Sequence, residues 1–450
     1  MTPSQQSAVA AVNYDTSLDL QERIRTRTAR IGIIGLGYVG LPEALEFAKT
    51  GFRVTGFDID RERVSKVNHG TSYIEDVDSA EMSALVTGGR LGASADFRAL
   101  ADMDVIHICV PTPLRKTRDP DISYIVSAVD QIKQTLRKGQ LIILESTTYP
   151  GTTEDVVAPI LASTGLKVGV DVHLCFSPER VNPGDKQFPL YTIPKVVGGM
   201  TRRCTEVATA LYSQLVSRVV PVSSTKAAEA VKLLENTFRA VNIGLVNELA
   251  LMCAKLDIDV WEIIQAAGTK PFGFMPFYPG PGLGGHCIPV DPLYLSWTAR
   301  LNGFEARFIE LAAQINGAMP HYVVTRIGEA LNERAKSLRG SRILVLGVAY
   351  KRDVGDIRES PALEIIGLLL GKKAQVTYHD PHVPWFLLND QRFESSPLDA
   401  AVLGNQDCVV IITDHSSLDY QWVLECAPCI VDTRNAIGDA NGQSYKITKL

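Results

Sequence analysis

A strand that runs into a glycine turn, then a helix, then a strand ending on aspartate is the pattern that most constrains this chain, and it occurs twice. Ile31-Gly32-Ile33-Ile34 is a short apolar run ending on Gly35-Leu36-Gly37-Tyr38-Val39-Gly40, and a helix-like stretch follows through Leu45 and Phe47 to Lys49. The next run, Phe52 to Phe57, ends on Asp58. Further apolar runs at Val105 to Val110 and Leu141 to Leu144, with helical segments between them, predict a parallel sheet covered on both faces. Lys195-Val196-Val197-Gly198-Gly199 and Val219-Val220-Pro221-Val222 are expected to close that domain. The pattern restarts at Arg342-Ile343-Leu344-Val345-Leu346-Gly347, and its next strand, from Ala374, ends on Asp380. Asp407 to Thr413 and Cys429 to Asp432 add two more strands.

Between the two halves, a helix is predicted from about Ser224 to Lys255. Its Leu234, Phe238, Val241, Leu245, Leu249, Met252 and Leu256 recur in steps of three and four, which predicts one buried stripe. The expected fold class is therefore α/β, with two Rossmann-like parallel-sheet domains joined by a long central helix and a helical linker region. The expected boundaries are a loosely held N-terminal arm over 1–29, a nucleotide-binding domain over 30–222, a central helical, dimerisation and catalytic-loop region over 223–335, and a C-terminal Rossmann-like domain over 336–450. A chain of 450 residues exceeds what one ordinary core supports.

The first glycine turn has the form G-x-G-x-x-G in the context that gives it meaning, after a strand and before a helix. Gly35 permits the tight turn, Gly37 lets the backbone approach a pyrophosphate, and Gly40 brings helix against strand, with Tyr38 and Val39 inside the same turn. Phosphate would rest on the positive helix end. Asp58 is placed to accept hydrogen bonds from the adenosine ribose and would repel a 2′-phosphate, so NAD is favoured over NADP; Arg61 and Arg63 pull the other way, since either reaches toward a phosphate.

A second constellation is chemical. Phe277-Tyr278-Pro279-Gly280-Pro281-Gly282-Leu283-Gly284-Gly285-His286-Cys287 holds too many glycines and prolines for helix or strand and must be a shaped loop. Cys287 ends that loop, whereas most other cysteines lie in apolar runs as small core residues. Asp291 before Pro292 reads as a helix N-cap or as a residue with a catalytic role, and a helix start close to Cys287 would favour its thiolate. Lys232 and Asn236, four residues apart, share one helix face. Pro111-Thr112-Pro113, Glu145-Ser146-Thr147-Thr148 and Ser177-Pro178-Glu179-Arg180 each follow a strand, where open α/β sheets bind ligands.

Bulk properties exclude other classes. The formal net charge of -5 offers no field for nucleic acid or anionic membrane, so small-molecule partners are expected. No run approaches a membrane span or a signal-peptide core, and eight scattered cysteines fit a reducing cytoplasm rather than a disulfide scaffold. Cys426-Ala427-Pro428-Cys429 lacks the second ligand pair of a zinc site, and no metal is expected.

With these motifs in order, the chain resembles the UDP-glucose/GDP-mannose dehydrogenase family from Ile31 to about Asn435, including Ala349-Tyr350-Lys351-Arg352-Asp353 and Arg358-Glu359-Ser360. The resemblance implies an NAD domain, a helical dimerisation centre and a C-terminal domain that helps bind the nucleotide diphosphate, in a homodimer or higher homo-oligomer. It implies Cys287 as nucleophile, Lys232, Asn236 and Asp291 around the reacting oxygen, and Thr147 and Glu179 positioning or activating water. Gly35, Gly37, Tyr38, Val39, Gly40, Asp58, Arg63, Pro111, Thr112 and Thr147 would face NAD. Glu179, Arg180, Lys232, Asn236, Tyr278, Gly284, Lys351 and Arg434 would face a UDP-sugar. Enzymes of this family that act on UDP-glucose carry a second glutamate where this chain has Pro183.

The implied reaction is a four-electron oxidation of a sugar C6 alcohol through a thiohemiacetal and a thioester on Cys287. The Gly-Gly-His-Cys form, with the Lys270 to Gly282 segment, is closest to the UDP-N-acetylhexosamine branch, UDP-N-acetylglucosamine first; UDP-glucose, UDP-N-acetylmannosamine and UDP-N-acetylgalactosamine are alternatives. Two rivals are a single-step hydroxyacid dehydrogenase, which needs no cysteine, and a non-catalytic NAD-binding scaffold, which needs none of the chemical set.

Overall fold

The computed structural model describes residues 16–74, 77–115, 119–180, 188–285, 287–438, 440 and 442–450. His286, Pro183 and residues 1–15 of the expected arm lie outside the described residues. The chain divides into two compact units, one through Lys232 and one from Leu233.

The first unit is built on eight strands: β1 (Arg30–Ile34), β2 (Arg53–Phe57), β3 (Leu91–Ser94), β4 (Val105–Ile108), β5 (Leu141–Leu144), β6 (His173–Phe176), β7 (Lys195–Gly199) and β8 (Val219–Pro221). Their order is β3-β2-β1-β4-β5-β6-β7-β8. Strands β4, β5 and β6 are apolar or buried at every position, as a sheet covered on both faces requires. The strands through β6 are parallel, but β7 runs antiparallel to β6, so the sheet is mixed where a parallel one was expected. Strand order reverses at β1, which places a crevice between the carboxyl ends of β1 and β4. Register aligns those ends in one row, because Ile34 pairs with Phe57 and Ile108, Ile108 with Leu144, and Leu144 with Phe176.

Part of the expected loose arm is ordered. Thr16–Arg25 is a helix whose Leu20 and Ile24 are fully buried in the same core as β1 and the helix Arg202–Tyr212. Arg23 on the same helix also donates to the buried Asp104 carboxylate at 2.7 Å.

The second unit contains a five-stranded parallel sheet ordered β10-β9-β13-β14-β15, from β9 (Arg342–Leu346), β10 (Gln375–His379), β13 (Cys408–Ile411), β14 (Ile430–Asp432) and β15 (Ile447–Lys449). A hairpin of β11 (Trp385–Leu388) and β12 (Gln391–Glu394) forms its own two-stranded sheet, with Phe386 and Phe393 packed into the same core as Tyr378 of β10. Helices Thr225–Leu256, Asp291–Leu301 and Arg307–Asn332 complete the unit, the first of them beginning in the preceding unit.

The long helix reverses the expected burial. Leu234, Phe238, Leu245, Met252 and Leu256 are exposed, Leu234 by 65%, Val241 and Leu249 are half-buried, and from Leu233 onward the buried positions are Leu233, Asn236, Ala240, Gly244, Val246, Asn247, Ala250 and Cys253. Small residues won the inner face because the helix Arg307–Asn332 comes close there. A Cβ on Gly244 would lie 3.1 Å from Ala312 Cα. Asn247 donates to Asn316 Oδ1 at 2.8 Å, and Asn316 donates to the Ala240 carbonyl at 3.0 Å, so the contact is pinned by buried hydrogen bonds.

Candidate active site

In the first unit the glycine turn has the geometry its sequence predicts. Gly35 is at φ +94°, and a Cβ there would meet the Cys109 carbonyl oxygen at 2.4 Å. A Cβ on Gly40 would lie 1.9 Å from the Gly35 carbonyl oxygen, so only glycine lets the helix Gly40–Thr50 start against β1. A Cβ on Gly37 would meet no atom within 4 Å beyond its chain neighbours, so this side of the turn is open to a pyrophosphate. Asp58 is buried and accepts from Leu36 N–H and Asp60 N–H, both at 2.9 Å. Arg63 approaches its carboxylate at 3.5 Å and lies over the Tyr73 ring, whose hydroxyl donates to the Leu36 carbonyl. The residues present therefore fit a dinucleotide.

Three predicted walls follow neighbouring strands: Pro111-Thr112-Pro113 after β4, Ser146-Thr147 after β5, and Glu179 after β6. Ser146 Oγ joins two of them, accepting from Val110 N–H at 2.9 Å and donating to the Ile108 carbonyl at 3.1 Å. Lys232 donates to the Glu179 carbonyl at 2.6 Å. Glu179 Oε1 accepts from Arg180 N–H at 2.6 Å, and the Arg180 guanidinium donates to the Pro194 carbonyl.

Beneath these loops lies a charged cluster that sequence reading missed. Lys195 Nζ is 3.0 Å from Glu179 Oε2, 3.2 Å from Glu145 Oε2 and 3.9 Å from Glu43 Oε1, and it lies over the Tyr212 ring. Glu145 also accepts from the Tyr212 hydroxyl, and His107 Nδ1 is 3.2 Å away. Burial pushes the Glu43 carboxyl well up, and the neighbouring Glu145 charge adds to it. Burial would raise Glu145 too, but Lys195 and His107 hold it below the ordinary carboxylate range. For Lys195, burial is outweighed by Glu145, Glu179 and Glu43, and the ammonium form is favoured. The signal was available in sequence: Glu43, His107 and Lys195 are polar residues inside apolar runs.

The second unit holds the cysteine loop. Val290 N–H and Asp291 N–H donate to the Cys287 carbonyl at 3.1 and 2.8 Å, so Cys287 sits one turn ahead of the helix Asp291–Leu301 and is half-buried. Asp291 is not its N-cap. Val290 takes that position, and the buried Asp291 carboxylate instead accepts from Asn236 Nδ2 at 2.5 Å. The glycines ahead of Cys287 admit close neighbours: a Cβ on Gly284 would lie 2.8 Å from Tyr350 Cβ, and one on Gly280 would lie 2.6 Å from Arg434 Nη1. Gly280 N–H is anchored on Asn247 Oδ1 at 2.9 Å, and Tyr278 stacks on Trp261 with centroids 5.9 Å apart. Arg434 is pushed down to about 10 by burial and by Arg352. Lys351 follows β9 in the same unit as this loop.

Two side-chain groups have the spacing of metal ligands, Glu43 with His107 and Glu145, and Asp353 with His382 and His415. In the first, Lys195 already supplies the cation. In the second, His415 accepts from Asp353 N–H at Nδ1 and pairs with Asp380 through Nε2, leaving neither ring nitrogen for a metal. None of the eight cysteines is in a disulfide.

Three family models cover nearly the whole chain. That for the UDP-glucose/GDP-mannose dehydrogenase NAD binding domain matches residues 29–216, the central domain 226–318, and the UDP binding domain 344–439. The chain belongs to this family. It is an NAD-dependent oxidoreductase of the nucleotide-sugar dehydrogenase type. Among its relatives is UDP-N-acetyl-D-glucosamine 6-dehydrogenase of Pseudomonas aeruginosa, 36% identical over 86% of this chain and 90% of that one. UDP-N-acetyl-D-mannosamine dehydrogenase of Pyrococcus horikoshii is 35% identical over 91% of this chain and 96% of that one. The solved structure of a UDP-D-ManNAc dehydrogenase from Pyrococcus horikoshii aligns with a TM-score of 0.83 at 36% identity, again over 91% and 96% of the two chains. Among the described residues no helix is long and apolar enough to cross a membrane.

Proposed function

We propose that this chain oxidises the C6 alcohol of a UDP-N-acetylhexosamine, UDP-N-acetylglucosamine first, to the uronic acid. The observation that carries the reading is Cys287 on its glycine-shaped loop, one turn ahead of a buried Asp291 paired with Asn236. The Gly35-to-Gly40 turn would hold NAD, which would supply the hydride acceptor for each of the two oxidations. A base, aided by Lys232 or Asp291, takes the hydroxyl proton in the first. The Cys287 thiolate then adds to the aldehyde as a thiohemiacetal, whose oxidation gives a thioester, so no free aldehyde need escape. Water, oriented by Thr147 and Glu179, releases the acid. Tyr278, Gly284, Arg180, Lys351 and Arg434 are assigned to the UDP-sugar, and Tyr38, Val39, Asp58, Arg63, Pro111 and Thr112 to NAD.

UDP-N-acetylmannosamine is a second reading, supported by the Pyrococcus horikoshii relative at nearly the same identity over more of the chain. NADH production across purified UDP-sugars separates them: the account expects the highest kcat/KM with UDP-N-acetylglucosamine, and a higher value with the manno or galacto isomer, or with UDP-glucose, contradicts it. The exposed stripe of Leu234, Phe238, Leu245, Met252 and Leu256 supports a homodimer or higher homo-oligomer, since large apolar side chains in a row on one helix favour a covering partner. A catalytic thiolate at Cys287 fits a reducing cytoplasm.

A further inference from the structure

We propose that Lys195 is a positioning residue for release of the acid, clamping the Glu179 carboxylate at the sheet edge to a charged anchor inside the first unit. The proposal rests on the reading of Glu179 as the group that orients water. Lys232 donates to the Glu179 carbonyl at 2.6 Å, Arg180 N–H to Oε1 at 2.6 Å, and Lys195 to Oε2 at 3.0 Å. The Lys195 contact reaches inward, to a buried side chain. Lys195 is itself immobilised, because it is buried, bonded to Glu145 at 3.2 Å and seated over the Tyr212 ring at 5.2 Å. Glu145 is in turn fixed by His107 and by the Tyr212 hydroxyl. A carboxylate tied to a surface lysine would sample many rotamers; one tied to a buried, doubly anchored ammonium does not.

As a device for stability the cluster is poor. Glu43 Oε1 and His107 Nε2 are buried with no hydrogen-bond partner among the described residues, and well-packed apolar side chains commonly replace buried ion pairs without loss. The gain is at its outer end. During release, a water oxygen bonds to the thioester carbon, its proton passes to Glu179, and the carbon–sulfur bond breaks with the electron pair leaving on Cys287. The immediate products are the sugar carboxylic acid and the thiolate; the acid then loses the second proton of the water to solvent as it becomes the carboxylate, and the proton on Glu179 also returns to solvent. The base must hold one orientation toward that water, and Lys195 supplies it.

The test uses the full-length enzyme. Because Lys195→Met alone would strand Glu145, the main variant is Lys195→Met with Glu145→Gln, compared with Glu179→Gln and with all three changes together. Rapid mixing with NAD and UDP-sugar reads the NADH burst, steady-state turnover reads release, and intact mass reads acyl-enzyme on Cys287. The expected result is a burst within about twofold of wild type, turnover slowed about a hundredfold as for a misplaced catalytic group, and an adduct that accumulates on Cys287. The triple variant is expected to be no slower than Glu179→Gln, since both changes act on one step. Wild-type turnover in the double variant, or a weakened burst and NAD affinity with no adduct while Glu179→Gln accumulates one, overturns the role of Lys195 and leaves that of Glu179. No adduct in Glu179→Gln removes Glu179 from release and the proposal with it.

Discussion

The two nucleotide-binding halves share a frame and differ in what it leaves open. Each begins with a strand that ends on a glycine at positive φ, Gly35 at +94° and Gly347 at +79°, and each has a following strand that ends on a buried aspartate reaching back to the turn. Asp58 takes Leu36 N–H with one oxygen and Asp60 N–H with the other. Asp380 takes Val348 N–H, Ala349 N–H and His415 Nε2 on one oxygen, and His382 N–H and Val383 N–H on the other. Burial would raise Asp380, but His415 and the backbone donors hold it below the usual carboxylate range. Its lone pairs are spent inside the protein. Asp58 retains acceptor capacity for a ribose.

The turns diverge in the same sense. Two residues after the first glycine stands Gly37 in one half and the buried Ala349 in the other, with the Ala349 carbonyl taken by Thr413. Five residues after it stand Gly40, where a helix starts, and Arg352, where none does until Pro361. A strand-end aspartate is thus a ligand for ribose only where the turn beside it is built to admit pyrophosphate.

Substitutions at paired positions sharpen this contrast. The largest effect is expected from Gly40→Ala, whose Cβ meets a carbonyl 1.9 Å away. It should abolish measurable NAD binding and lower stability by at least the ~1–3 kcal/mol of ordinary overpacking. Ala349→Gly, at the other turn, should cost about 0.4–1 kcal/mol and leave NAD affinity unchanged. Calorimetry with NAD titration reads both, and NAD binding by Gly40→Ala breaks the comparison.

Next in size is Asp58→Asn, which should raise KM for NAD about tenfold and improve the relative use of NADP, through loss of a charge-assisted hydrogen bond. Asp380→Asn should leave NAD kinetics alone and change acid stability instead. A depressed carboxyl stabilises the fold at neutral pH and loses that contribution as pH falls through its folded value, so the stability gap between wild type and Asp380→Asn should close below about pH 4. A gap that persists into acid would place the effect of Asp380 elsewhere. The smallest effect is expected from Lys351→Ala, weakening UDP-sugar binding by about 1 kcal/mol, roughly fivefold in Kd, with NAD affinity kept. Titration calorimetry with each nucleotide separates the two.

What sequence reading captured and missed follows from what each signal encodes. Glycine and aspartate at strand ends are local requirements, so the first turn was legible to the residue. The direction of β7 was not, because a strand pairs with the neighbour it finds and its own residues do not record which way. Periodicity located the stripe on the long helix and said nothing of whether this chain covers it; Gly244 and Ala240 were the better guide to the inner face. Asp291 before Pro292 looked like a cap because the dipeptide signals a helix start only to within a residue. Its partner Asn236 is 55 positions away, and no local pattern joins them. Lys195 and His107 stand inside runs whose apolar members mark the strand, and a lysine and a histidine in such runs mark a buried network whose partners only the fold brings together.

The central claim is covalent four-electron oxidation at Cys287, and its most direct measurement is NADH yield per limiting UDP-N-acetylglucosamine in wild type and in Cys287→Ala. The account predicts two NADH per sugar acid from wild type and no two-step turnover from a Cys287→Ala protein of unchanged fold. One NADH per sugar from wild type, or the full yield of two from Cys287→Ala, would contradict it.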